Sequence, residues 1–222
     1  MTTFLGNSRA GRVPAAVAIL VLAAQPFLAQ AEGEGFHGTQ GPVPEALARR
    51  MVDHSWRQGC PSPIADLAYL HLSFHGFDGA VHTGDLVVHK DLANDVLSIF
   101  KALFAMRFPI EKMRVIEDYQ GDDDASMADN NTSGFNCRFV AGKPGVFSKH
   151  SQGRAIDINP RNNPMVLDGA VFPPSGTAFV DRNSSAPGTL RAGSRAVVEF
   201  TRRGWTWGGT WVSMKDYQHF EK

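Results

Sequence analysis

Two periodicities within one stretch decide what architecture this chain can adopt. Leu70, Leu72 and Phe74 alternate with His71, Ser73 and His75, the period-two pattern of a strand with one buried face. Gly76-Phe77-Asp78-Gly79 supplies a turn, and Asp85 to His89 reads as a second strand. The period then changes. Over Asp91 to Met106, Leu92, Val96, Phe100, Leu103 and Phe104 fall on one helical stripe, with Pro109 just past its end. A shorter helix is expected over Pro44 to Val52, with proline near its start, and another from Ser194, an N-cap residue, to Arg203, with Gly204 at its C′ position. Met113 to Asp118 and Ala155 to Asn159 read as strands. Strands and helices mix without regular βαβ alternation, so the expected fold class is α+β, a small, mainly antiparallel sheet with flanking helices. No internal repeat and no second domain is visible.

The chain has 222 residues, 43% hydrophobic and 20% charged, a globular rather than a disordered profile. Its 22 basic and 22 acidic residues cancel, so nothing recommends nucleic acid as a partner. Arg9 and Arg12 precede the apolar run Ala15 to Ala24, and Ala29-Gln30-Ala31 follows. That is the n-region, h-region and cleavage site of a signal peptide over residues 1–31. The run is too short to span a bilayer, which takes about 20 residues, and no cysteine follows it to accept a lipid. The expected product is exported, periplasmic or extracellular, with no stable membrane span after processing. It begins with a flexible lead-in over 32–44, rich in Gly, Pro and Gln, and continues as one domain over 45–222. Cys60 and Cys137 are the two cysteines. In an oxidising compartment they form one disulfide, and otherwise they remain a buried unpaired pair. Two cysteines cannot build a four-thiolate zinc site, so any metal must be held by histidines and carboxylates.

Two segments concentrate polar residues that a fold alone does not require, Ser148 to Pro160 and Gly204 to Phe220. In a strand over Ala155–Asn159, Ile156 and Ile158 face the core and Asp157 points the other way. His150 precedes Gly153, where a loop can fold it back beside Asp157. A histidine and a carboxylate brought together in this way suit zinc, and His219 is the best third ligand. Three protein ligands leave one tetrahedral position open, the mark of a catalytic site. Zinc lowers the pKa of water from 15.7 to about 7, and Asp216, three residues before His219, is placed to accept the proton. A spacing of three puts Asp216 and His219 on opposite faces of an ideal strand, so if both serve one metal centre Tyr217-Gln218 must form a turn or bulge. The other histidines, 71, 75, 82 and 89, lack ligand spacing and are expected on solvent faces or in hydrogen-bonded loops. Gly121-Asp122-Asp123-Asp124 does not fit an EF-hand loop and reads as a solvated acidic turn. Asn130-Asn131-Thr132-Ser133 contains glycosylation acceptors that matter only in a glycosylating source. Trp205, Trp207 and Trp211 are expected in the core beside a Gly-rich turn.

Ser148-x-His150-x-x-Gly153-x-Ala155-x-Asp157, followed by Asp216-x-x-His219-Phe220, resembles the zinc peptidases of the M15 family. These are D-alanyl-D-alanine carboxypeptidases and related L-alanyl-D-glutamate endopeptidases. Ser126 to Arg138 and Val81 to Leu86 are similar to a VanY-like branch, and the resemblance extends over residues 45–222. It implies a Hedgehog/DD-peptidase-like fold, zinc on His150, Asp157 and His219, the general base on Asp216, and a peptidoglycan stem peptide as substrate. Many relatives have Glu at the base position where this chain has Asp. Many also carry a Tyr-Arg pair whose arginine steadies the oxyanion, whereas here Tyr119 precedes Gln120. Arg138 is the candidate for that role. The rival reading is a zinc-containing cell-wall binding module without catalysis, against which the retained Asp216 speaks. A serine hydrolase built on Ser148 or Ser151 would call for a G-x-S-x-G elbow, which the chain lacks. The motif leaves exo- and endopeptidase cleavage open.

Overall fold

In the computed structural model, which describes residues 1–3, 35–140 and 143–222, the alternating segment forms β2 (Leu67–His75) and the next strand forms β3 (Val81–His89). The two pair antiparallel from Leu67↔His89 to His75↔Val81. The expected signal peptide and its cleavage site lie outside the described residues. Glu34–Lys222 belong to a single unit, and among the described residues no helix is long and apolar enough to cross a membrane. One part of the expected lead-in is not a flexible segment: β1 (Gly38–Pro42) pairs antiparallel with the free edge of β2. Its Gly-Thr-Gln-Gly-Pro sequence shows no apolar alternation because it is a largely exposed edge strand, held by backbone bonds rather than by a buried face.

The apolar face of β2, Leu70, Leu72 and Phe74, meets α2 (Ala93–Ala105), whose Val96, Ile99, Phe100 and Leu103 are buried in the same cluster. α3 (Asp123–Ala128) is a short helix, and α4 (Arg195–Thr201) adds Ala196, Val197 and Phe200. Ser194 caps it, accepting from the Val197 N–H, and Gly204 follows its last turn at φ +82°. On the other face, α1 (Glu45–His54) buries Leu47 and Met51 against Val87, Phe135 and Cys137. Cys60 and Cys137 are joined as a disulfide beside this cluster.

The strand expected over Met113–Asp118 is cut short. β4 is only Lys112–Met113, pairing in parallel with β5 (Asn131–Thr132), and Ile116–Tyr119 is a 3-10 turn. The Asn131 side chain takes over the ladder at that point: its Oδ1 accepts from the Arg114 N–H at 2.8 Å and its Nδ2 donates to the Arg114 carbonyl at 3.0 Å. Both asparagines of the glycosylation acceptors are fully buried, so a glycan has no room there.

The remainder of the chain builds two more three-stranded antiparallel sheets. One has the order β6 (Ala155–Asp157), β11 (His219–Glu221), β9 (Thr206–Trp207). The other has the order β10 (Lys215–Asp216), β7 (Met165–Leu167), β8 (Ala170–Phe172). Ile156, Ile158 and Phe220 anchor the first sheet in the main core, where Phe220 stacks on Phe200 with ring centroids 3.9 Å apart. The architecture is α+β, with small, mostly antiparallel sheets in place of a single one.

Candidate active site and metal centre

The spacing of the Ser148–Asp157 segment follows from a tight turn feeding a short strand. Ser148 caps the 3-10 turn Lys149–Gln152, its Oγ accepting from the His150 N–H. Ser151 Oγ donates to the Arg138 carbonyl at 2.6 Å and accepts from the Arg138 N–H at 2.9 Å, tying the turn to the neighbouring segment. Gly153 ends the turn at φ +66°, and a Cβ there would lie 2.5 Å from the His89 nitrogen. That nitrogen donates to the Gly153 carbonyl at 2.7 Å, so only glycine meets both the conformation and the close approach. β6 then leaves the turn with Ile156 directed into the core. Asp157, one position on, is directed to the opposite side.

β11 is the central strand of its sheet, in register His219↔Asp157, Phe220↔Ile156 and Glu221↔Ala155. That register sets His219 directly across from Asp157, and the turn brings His150 between them. His219 Nδ1 lies 3.0 Å from Asp157 Oδ1, His150 Nε2 lies 3.1 Å from Asp157 Oδ2, and the two ring nitrogens are 3.2 Å apart. All three side chains are buried.

Each histidine is held from behind. His150 Nδ1–H donates to the Gly134 carbonyl at 2.6 Å, which leaves the Nε2 lone pair facing the cluster. His219 Nε2–H donates to Glu221 Oε2 at 3.1 Å, which leaves Nδ1 facing it. With a cation in the cluster these are the tautomers that result, since the carbonyl and the carboxylate behind the rings can only receive.

The donor set fits zinc. Tetrahedral N and O ligands at about 2.0–2.1 Å stand about 3.3 Å from one another, close to the three separations here. The local field also calls for a cation. Burial disfavours the charged Asp157, but the two histidines outweigh it and hold that carboxyl below the usual range. Burial likewise disfavours a charged His219, yet hydrogen bonds to Asp157 and Glu221 push it up to about 10 without a metal.

Asp216 enters from a separate strand. β10 stops at Asp216, Tyr217-Gln218 bend, and β11 begins at His219, so the break required between Asp216 and His219 is present. The Gln218 carbonyl accepts from the Ile158 N–H and the Tyr217 carbonyl from Trp207 Nε1, so the bend keeps its backbone bonds. Gly208 makes room for it, because a Cβ there would lie 2.6 Å from the Asp216 carbonyl. The Asp216 carboxyl is buried, and its Oδ1 has no hydrogen-bond partner among the described residues. Burial pushes its pKa up to about 6, against the pull of His219 and His150.

His150, Asp157, His219 and Asp216 open into one cavity of about 420 Å³, with Arg138 and Glu221 also on its wall. Arg138 Nη2 pairs with Asp123 Oδ2 at 2.9 Å. Asp123 and Asp124 open a helix and line the cavity, so they are not part of a purely solvated turn. Tyr119 is not on the wall; its hydroxyl donates to Asp129.

The other histidines stay outside the cluster. His71 pairs with Asp85 and His82 with Asp78. His75 departs from the expected solvent face or loop: it is buried at the end of β2, stacked 4.4 Å from Phe104. Trp205 and Trp207 are in the core as expected. Trp211 is not. It lines the cavity, its ring 5.3 Å from that of His219.

Several contributors carried no signal at the sequence level: Met165, Leu167 and Phe172 on the wall, and the Gly134 carbonyl behind His150. Glu221 did carry one. It lies two positions after His219 and so on the same strand face. Residues 141–222 match a family model described as D-alanyl-D-alanine carboxypeptidase, one of the M15 peptidase models. No curated protein and no solved structure matches the chain.

Proposed function

From the premise that the chain is an M15 peptidase, we propose that it is an exported zinc-dependent hydrolase of amide bonds in peptidoglycan stem peptides. The observation that carries this reading is the pairing of two features in one cavity. One is a buried triad of His150, Asp157 and His219 with mutually close donor atoms; the other is the buried Asp216 with a free carboxylate oxygen. The apolar run after Arg9 and Arg12 and the Cys60–Cys137 disulfide support export.

His150, Asp157 and His219 would hold the zinc, which when bound would supply Lewis acidity and lower the pKa of water toward neutrality. The protein's own residues do the rest. Asp216 accepts a proton from the attacking water through Oδ1 and returns it to the amine as the C–N bond breaks and the new C–O bond remains. Arg138 steadies the negative charge that develops on the carbonyl oxygen, and Asp123 fixes its guanidinium. Met165, Leu167, Phe172 and Trp211 form an apolar wall that takes the methyl-bearing faces of alanyl residues and limits water. The stretch of wall shared by Arg138 and His150 is where the scissile amide lies.

The test is digestion of purified peptidoglycan and of a stem pentapeptide ending in D-Ala-D-Ala, with product masses measured. Cleavage that stops with a chelator and returns with zinc supports the reading, and released D-alanine identifies a carboxypeptidase. A zinc-loaded, folded protein that cleaves neither substrate contradicts it.

A further inference from the structure

The two histidines of the cluster are oriented by different acceptors, and the difference points to a specific residue. Behind His150 stands a neutral backbone carbonyl, that of Gly134. Behind His219 stands a carboxylate, that of Glu221. Both side chains leave β11 on the same face, with Phe220 between them directed into the core. β11 is hydrogen-bonded on both edges, with Glu221 registered to Ala155 on one side and Thr206 on the other. The backbone beneath Glu221 is therefore fixed, and so is the reach of its carboxylate. The pair is also shielded: the His219 side chain is 8% exposed and that of Glu221 28%.

We infer that Glu221 is the positioning residue of the metal centre, holding His219 with Nδ1 toward the cation and raising the cation affinity of the site. The inference rests on the proposed zinc-binding function and extends it to a residue outside the ligand set. An imidazole turned over about its Cβ–Cγ bond would present carbon in place of Nδ1 to Asp157 and His150. The Nε2–H···Oε2 bond is made only in the orientation the structure holds. The negative charge on the acceptor also increases the basicity of the ring, which the carbonyl behind His150 does less strongly. Glu221 does not join the ligand triad itself, because it lies on the far side of the ring from Nδ1.

The experiment compares metal-stripped wild type, Glu221→Ala and Glu221→Gln for zinc affinity by competition with a chromophoric chelator. Cobalt absorption spectra and metal-free thermal unfolding accompany it. Loss of an outer-sphere partner of this kind typically weakens metal binding about 10- to 100-fold, and that is the expected effect of Glu221→Ala. Glu221→Gln keeps an oxygen that accepts from Nε2–H, so it should recover most of the loss and the wild-type cobalt spectrum. Metal-free unfolding temperatures should be alike in all three proteins, which separates positioning from a general structural role. Wild-type affinity in Glu221→Ala, or equal losses in the Ala and Gln variants, overturns the inference. Wild-type protein that binds no zinc overturns the proposed function and this inference together. Tight wild-type binding with no change in Glu221→Ala overturns this inference alone.

Discussion

His219 and Asp157 face each other across the β6–β11 pair, Nδ1 to Oδ1 at 3.0 Å, although they lie at distant points of the chain. The strand register itself creates this contact, so the His150–Asp157–His219 cluster exists only once the C-terminal strand has docked. His150 is brought to the same point by a turn that Gly153 closes.

One zinc is expected per chain, and His150→Ala or His219→Ala should remove most of it. Elemental analysis of dialysed protein checks this. Equal zinc content in wild type and both variants would move the metal elsewhere.

Gly153→Ala should be far more damaging than Gly169→Ala, although both glycines have positive φ, +66° and +82°. A residue in a disfavoured backbone region costs roughly 1–3 kcal/mol. At Gly153 the added Cβ also meets the His89 nitrogen, whereas at Gly169 nothing lies within 4 Å. Gly153→Ala should lower both the unfolding temperature and zinc affinity, and Gly169→Ala only the former, and slightly. Parallel measurement of Tm and zinc binding decides.

The disulfide closes a separation of 77 residues, which by loop entropy corresponds to about 4.5 kcal/mol of stability. Cys60→Ser combined with Cys137→Ser should therefore lower Tm by roughly 10 °C. Thiol labelling of the denatured, unreduced exported protein should find no free thiol. Two reactive thiols per chain would show the pair reduced.

Glu117 offers a pH signature away from the site. Burial holds its carboxyl above the usual range, partly opposed by the hydroxyl of Ser55, which donates to it. A folded pKa above the unfolded value means that the folded state binds the proton more readily. The group's contribution is full below the unfolded pKa of about 4.3 and is lost as pH rises through the folded value. Glu117→Gln keeps the acceptor and removes the buried charge. It should raise Tm at pH 8 and lose that advantage as pH falls toward about 4.3. A pH-independent difference would contradict this.

The sequence made the main elements legible where one physical cause dominated. The alternation at 70–75 and the stripe from Leu92 to Phe104 mark the apolar faces that β2 and α2 pack against each other, and both elements are present. The meeting of His150 and Asp157 was legible because a cap, a histidine, a glycine turn and a strand carboxylate follow at fixed offsets, whereas His219 joins them through strand register. Three things were hidden. β1 is a polar edge strand stabilised by backbone pairing, which leaves no trace in side-chain pattern. The end of β4 depends on the distant Asn131 amide. Trp211 and Asp123 reached the cavity through tertiary packing that local composition does not encode. The bend at Tyr217-Gln218, in contrast, follows from asking Asp216 and His219, three residues apart, to face one centre.

The division of labour between Asp216 and the ligands is the central claim, and zinc stoichiometry measured alongside peptide hydrolysis in Asp216→Asn and Asp157→Asn tests it most directly. Asp216 comes from β10, apart from the triad, and its Oδ1 is free to accept a proton. Asp216→Asn should keep its zinc and near-normal stability while turnover falls at least about 100-fold, the lower bound for loss of a general base. Asp157→Asn should instead lose zinc. Full activity in Asp216→Asn, or zinc loss matching that of Asp157→Asn, would contradict the account.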